Sequence, residues 1–323
     1  MKNPVAIFLI TLLFGCGNEQ KPSRYEIEGF AQGTTYKIVY YDTRESIRKT
    51  EIDSLLKAFD QSCSLYDTTS LISRLNRNET DTVDRYITEC ERIAREIYET
   101  SGGAYDITCQ PLIRAYGFLR ENKADSINLD SILPLIGHSK IKIENGRLIK
   151  ADPRIAIDLN SIAQGYSVDL VSEYISNRGL KNFLVEIGGE IYCSGQKNDT
   201  ALWKVGIDKP IDGNMTAGSD LQTTLTLRDK GLNTSGNYRK FYAEKGHRVN
   251  HIIDPRTGNS DSNDMLSATV IAPTTVLADG LATMLMVIGS DKCKEFLLSR
   301  KDVEGYIIYH HNDTIQTFST LKQ

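Results

Sequence analysis

The segment ADGLATMLMVIG, residues 278–289, is almost wholly apolar after Gly280. A helix that is apolar all round is a buried helix, so the chain must pack other elements around it. Asp279 and Thr283 break the pattern, and they stand four residues apart. On a helix that spacing puts both on one face. A carboxylate without a partner is costly to bury. Two readings account for the pair. In one, Asp279 accepts backbone N–H bonds at its helix N-terminus, and the Thr283 hydroxyl bonds back to the Asp279 carbonyl. In the other, the two oxygens are hard ligands for Mg2+, which takes few protein carboxylates and leaves room for phosphate oxygens.

The elements around this helix mix strands and helices without strict βαβ alternation. Residues 25–42 look like strands around a Gly turn. Ile47, Ile52, Leu55, Leu56 and Phe59 have helical spacing within 45–66. A second amphipathic helix over 83–103 is stopped by Gly102-Gly103. KIKIENGRLIKA (140–151) is a hairpin with Asn-Gly at its turn. Residues 156–179 pass from a short strand through a polar turn into a helix, and 182–195 read as strand, Gly-Gly, strand. Further strands fall near 203–208, 221–227 and 266–271, and 305–319 is a final hairpin. This order predicts an α+β fold, not a doubly wound sheet.

The N-terminus carries one Lys, an apolar run from Val5 to Phe14, and then Gly15-Cys16. The run is too short to span a bilayer and has the size of a signal-peptide core. Leu13-Phe14-Gly15-Cys16 resembles the lipobox of bacterial lipoproteins, in which Cys16 becomes the acylated first residue. Residues 1–15 are then a signal peptide, 16–24 a polar tether, and 25–323 the folded domain. The other five cysteines, Cys63, Cys90, Cys109, Cys193 and Cys293, form no C-x-x-C pair. A zinc site and a complete disulfide framework are both disfavoured. A net charge of -4 with scattered Lys and Arg gives no case for nucleic acid.

Three further stretches have the residue types for chemistry. VNHIIDPRTGNS (249–260) places His251 three residues before Asp254, at a turn. His251 is either structural or a group that orients or deprotonates a nucleophile. Arg256 either holds a phosphate or pins the turn to a carboxylate. DLNSIAQGYSVD (158–169) leads into a helix whose first N–H groups suit a phosphate, with Gly165 permitting close approach. LNTSGNY (232–238) is a turn by composition, rich in small hydrogen-bonding side chains.

Together these stretches resemble the ApbE family of flavin transferases, which attach FMN to proteins using FAD. The resemblance covers about 27–290. It is carried by GTTY (33–36), FDQSCSLYDTTSLISRLN (59–76), SGGAYDITCQPLIRAYGF (101–118), DLNSIAQGYSVD (158–169), VEIGGEIYCSG (185–195), TSGNY (234–238), HIIDPRTG (251–258) and ADGLATMLMVIG (278–289). It implies mixed sheets with packed helices and a flavin site between two lobes. It implies that Asp279 and Thr283 ligate Mg2+ together with the Ala163 backbone carbonyl. The FAD pocket maps onto Gln32, Tyr66, Ala104, Tyr105, Asp106, Asn160, Tyr166 and His251, with Tyr66 and Tyr105 as apolar faces for a ring. Gln32 stands where the family usually has Met, and Gln164 where Lys or Glu is common.

The reaction that the resemblance implies is transfer of FMN from FAD to a Thr or Ser hydroxyl of a target protein, with AMP leaving. His251, with Asp254, would orient or activate that hydroxyl. The implied acceptors carry a short Ser/Thr flavinylation motif, as FMN-binding subunits of membrane redox complexes do, and sit with the enzyme on the periplasmic side. Two other readings use the same residues differently: an FAD pyrophosphatase giving FMN and AMP, and a lipoprotein that only carries flavin. Tyr66 stands where a hydrolytic type of the family has Asn, which favours transfer. The lipid anchor has its own test. Several acyl chains hold a protein on a membrane where one does so only marginally, so Cys16→Ser should move the protein to the soluble fraction; unchanged membrane association and N-terminal mass would count against it.

Overall fold

The computed structural model describes residues 21–119, 127–197, 201–210, 220–237, 241–244, 247–260, 263–312 and 314–322. Cys16 and the expected signal peptide lie outside them. The chain opens with strands β1 (Ser23–Ala31) and β2 (Thr34–Asp42). Helices α1 (Lys49–Cys63), α2 (Leu71–Asn76), α3 (Arg85–Ser101), α4 (Gln110–Ala115) and the short α5 (Leu129–Ile132) follow. The pair β3 (Ile141–Glu144) and β4 (Arg147–Lys150) precedes helix α6 (Ala163–Asn177). Next come β5 (Phe183–Ile187), β6 (Glu190–Ser194), β7 (Trp203–Asp208), β8 (Leu221–Leu227) and β9 (Lys230–Gly236). The chain closes with β10 (Phe241–Glu244), β11 (His247–Asn250), β12 (Met265–Ala272), α7 (Thr275–Ile288), α8 (Ser290–Ser299), β13 (Glu304–His311) and β14 (Thr314–Ser319).

Eight strands form one sheet in the order β1-β2-β5-β6-β9-β12-β13-β14, and every pairing in it is antiparallel. This is the expected α+β class. Strand alternation decides what each face buries. Ile38 and Tyr40 of β2 and Phe183 of β5 pack with Ile52 and Leu56 of α1 and Val171 of α6. Further along the same side, Ala268 and Val270 of β12 pack with Leu281 and Leu285 of α7 and Ile97 of α3. On the opposite face, Val39, Leu232 and Ile271 are covered by Trp203 and Val205 of β7 and Leu227 of β8.

Local signals set most element ends. The Asp84 carboxylate accepts from the Tyr86 and Ile87 N–H groups at the start of α3, and Gly102 ends it in the left-handed region at φ 60°. Asn145 (φ 51°) and Gly146 (φ 71°) make the two-residue turn between β3 and β4. Three details differ from the sequence expectation. β1 begins at Ser23, inside the segment that composition makes a tether. Residues 156–158 pair with no strand and run as irregular backbone into α6. Composition makes 232–238 a turn, whereas most of it is β9, laddered between β6 and β12. Backbone pairing with β12 along 231–236, joined by β6 at 230–232, overrides the weak strand preference of Gly, Asn and Ser there.

Helix α7 is the buried helix that its composition demands, with Leu281, Met284 and Leu285 at most 1% exposed. Its N-terminus makes no side-chain cap of its own. Instead Asp169, on α6, accepts from the Thr275 N–H (2.9 Å) and the Val276 N–H (2.8 Å). One carboxylate thus satisfies two orphan donors and fixes α6 to α7. The five cysteines are free, four of them buried, in keeping with an apolar role. Among the described residues no helix is long and apolar enough to cross a membrane.

Burial pushes the Asp169 carboxyl up from 3.8 to about 6. The folded state therefore holds this proton more tightly than the unfolded chain. The resulting stability is fully present below about pH 4 and is lost as pH rises through about 6, a total of about 3 kcal/mol at most. Asp169→Asn removes the titration. In urea unfolding between pH 4 and 7, the wild type should lose stability relative to Asp169→Asn across this window and no further above it. A pH-independent difference between the two proteins would contradict the assignment.

Candidate active site

Asp279 is the fifth residue of α7 and is only 5% exposed. Its carboxylate does not cap its own helix. Oδ2 accepts the Gly165 N–H of α6 at 3.0 Å, and Oδ1 accepts Asn233 Nδ2 of β9 at 2.6 Å. Burial, and then the charge of Glu190, push this carboxyl well above the usual range. One turn on, Thr283 Oγ1 lies 3.5 Å from Ser235 Oγ. Gly165 makes the helix contact possible: a Cβ there would fall 2.6 Å from the Thr275 carbonyl oxygen and 2.7 Å from Asp279 Cβ. Its close approach is therefore to α7, and its N–H, which suits a phosphate by sequence, is donated to Asp279.

Ala163, the first residue of α6, sits two positions before Gly165 and donates its N–H to the Leu159 carbonyl at 2.7 Å. Among the described residues no group of three His, Cys, Asp or Glu side chains is placed to hold a metal. The donor set that the resemblance implies is different: the buried Asp279 carboxylate, the Thr283 hydroxyl and the Ala163 backbone carbonyl. All are hard oxygens with a single formal charge, which suits Mg2+ shared with substrate phosphates.

The residues expected to contact FAD fall into two groups. Tyr66 is 47% exposed in the loop after α1, and its N–H bonds Ser64 Oγ at 3.2 Å. Asn160 is exposed, with its N–H donated to Asp158 Oδ1 at 2.7 Å. Gln32 (φ 55°) and Gly33 (φ 76°) form the left-handed turn between β1 and β2. Ser167 Oγ donates to Gln32 Oε1 at 3.0 Å, so the turn is tied to α6. The half-buried Tyr166 ring meets Phe59 and Tyr86 edge-on, at 5.8 and 6.5 Å between centroids.

The Ala104-Tyr105-Asp106 segment, in contrast, is buried throughout. The expectation that Tyr105 offers a ring face is corrected by its 2% exposure: the ring packs in the core, near Gly280. Its phenol oxygen accepts Ser161 Oγ at 3.0 Å, next to Asn160. Asp106 caps a short turn through the Thr108 N–H (2.8 Å) and accepts the His138 N–H at 2.9 Å. His138 is itself fully buried, with Nε2 3.1 Å from Glu91 Oε1.

His251 follows β11, half-buried, with its ring 6.3 Å from Phe118. Arg256 pins the turn: Nε bonds Asp254 Oδ1 at 2.9 Å and its terminal nitrogen bonds Oδ2 at 2.7 Å. The carboxylate reading of Arg256 is the one observed. Asn250, Ile252 and Asp254 line a small cleft with Asn237, Met286 and Val287. The His251 segment therefore faces α7 one turn beyond Thr283.

Sequence reasoning does not single out Asp169, Asn233 or Ser235. Asn233 and Ser235 lie in a stretch that composition marks as a turn, Asp169 lies on the helix after a polar turn, and each acts on α7 from a distant part of the chain. Thr274 is a residue type that can cap a helix yet makes no side-chain cap bond, so the sequence carries no local sign that Asp169 is the partner.

The model of the ApbE family matches residues 32–307. The FAD:protein FMN transferase of Vibrio cholerae serotype O1 is 34% identical over 299 residues, covering 89% of this chain and 88% of that protein. The solved flavin transferase ApbE from Vibrio cholerae superposes with a TM-score of 0.81 at 31% identity, over 92% of this chain and 97% of that one. The apo Pseudomonas stutzeri flavinyl transferase ApbE gives 0.80 at 27% identity, over 94% and 96%. By its sequence over nearly the whole described length and by its fold, this chain belongs to the ApbE family.

Proposed function

We propose that this chain transfers the FMN half of FAD to a Thr or Ser hydroxyl of an acceptor protein and releases AMP. The observation that carries this reading is the Asp279–Thr283 pair, set on a buried helix and braced from α6 and β9. The names of the relatives support it. Asp279, Thr283 and the Ala163 carbonyl would hold Mg2+, which when bound offsets the pyrophosphate charge of FAD.

The rest of the chemistry falls to the chain's own residues. The acceptor oxygen bonds the FMN-side phosphorus, the bond from that phosphorus to the bridging oxygen breaks, and AMP leaves with that oxygen. His251 takes the acceptor's hydroxyl proton. Asp254, held by Arg256, keeps the His251 turn in shape. Tyr66, half in solvent, covers the bound pyrophosphate against water. Gln32, Asn160 and Tyr166 present polar and ring surface to the dinucleotide around the α6 N-terminus. The Cys16 lipid anchor would keep the enzyme on the periplasmic membrane surface, beside FMN-binding subunits of redox complexes that carry the Ser/Thr motif.

Two variants test the reading. Asp279→Asn keeps the shape and removes the charge. Because even supporting residues around a metal cost 10–100-fold, it should lower FAD-dependent AMP release by more than about 100-fold. Wild-type turnover with wild-type Mg2+ dependence would return Asp279 to a purely structural role. Tyr66→Asn should raise acceptor-independent formation of FMN and AMP. Assayed without acceptor, a rate equal to wild type would remove the shielding role from Tyr66.

A further inference from the structure

Gly231, Asn233 and Ser235 share one face of β9, because strand side chains alternate. Thr275, Asp279 and Thr283 share one face of α7. The two sets meet rung by rung. A Cβ on Gly231 would fall 2.4 Å from the Thr275 nitrogen. Asn233 Nδ2 donates to Asp279 Oδ1 at 2.6 Å, and Ser235 Oγ lies 3.5 Å from Thr283 Oγ1. Two strand residues advance about 6.7 Å and four helical residues about 6.0 Å. Strand and helix therefore stay in step across three rungs. The intervening residues face away: Leu232 packs with Trp203 and Val205, and Thr234 Oγ1 lies 2.8 Å from Thr269 Oγ1.

From this register we infer that Asn233 and Ser235 are positioning residues for a hard divalent cation, an inference that rests on Asp279 and Thr283 being its ligands. A threonine hydroxyl that ligates a cation must turn its lone pair to the ion and its proton elsewhere. Ser235 Oγ is the neighbouring oxygen that can accept this proton. Asn233 and the Gly165 N–H each hold one oxygen of Asp279, so the carboxylate plane is fixed while both oxygens keep a lone pair. The strand thereby sets the orientation of ligands that belong to the helix.

Mn2+ binding to the full chain, followed by electron paramagnetic resonance without FAD, separates this from plain packing. Ser235→Ala should weaken Mn2+ binding about tenfold or more, while Ser235→Thr, which keeps the hydroxyl, stays within about threefold of the parent. Thr234→Val perturbs the same strand on its other face and should bind Mn2+ like the parent. In the Thr283→Val background, Ser235→Ala should add nothing, because its effect runs through that hydroxyl. Parental Mn2+ affinity in Ser235→Ala, or an equal loss in Thr234→Val, overturns the positioning role. Parental affinity in Thr283→Val removes the ion site itself, and this inference with it; a loss in Thr283→Val without one in Ser235→Ala removes the positioning role alone.

Discussion

The carboxylate of Asp279 joins three elements that are remote in sequence. Gly165, whose N–H it accepts, is 114 residues away, and Asn233 is 46 residues away. Both bonds are made in the core, where an unsatisfied carboxylate would cost several kcal/mol. The architecture around them follows from keeping that group satisfied. Gly165 lacks a side chain so that α6 can reach α7. β9 is a central strand whose inward residues, Gly231, Asn233 and Ser235, are small or polar where the paired β12 carries Ala272, Val270 and Ala268.

The same group lies under strong electrostatic pressure. Burial and Glu190 both disfavour its charge, and two hydrogen bonds are modest compensation for a buried anion. A bound cation would relieve that pressure and leave coordination positions for substrate phosphates. Asp169 is under pressure from burial too, but its partners differ. It too is a carboxylate between α6 and α7, yet both its oxygens go to the first N–H groups of a helix, and its work ends with capping.

Much of the fold is legible in the sequence because it is encoded locally. The α3 boundaries follow from Asp84 and Gly102, and the β3–β4 pair from Asn145-Gly146. The apolar run of α7 announces its burial. β9 is not legible, because Asn233, Ser235 and Gly236 have turn composition, and pairing with β12, joined by β6 at residues 230–232, makes the segment a strand. The site divides in the same way. Asp279 and Thr283 stand out as polar exceptions in an apolar helix, whereas their partners are chosen by tertiary register. Tyr105 shows the limit of residue type as a guide: an aromatic in a site motif here has its ring in the core. What spacing alone leaves open, the family resemblance implies: a role for the pair on α7 beside a dinucleotide.

We propose that α7 presents Asp279 and Thr283 to one ion, facing the start of α6. Anomalous diffraction from crystals of the full chain soaked with Mn2+ and FAD tests it most directly. The account predicts a single strong peak bonded by the Asp279 carboxylate, the Thr283 hydroxyl and the Ala163 carbonyl, with FAD phosphate oxygens completing the shell. A peak ligated elsewhere, with Asp279 still bonded to Asn233 and Gly165 alone, would contradict it.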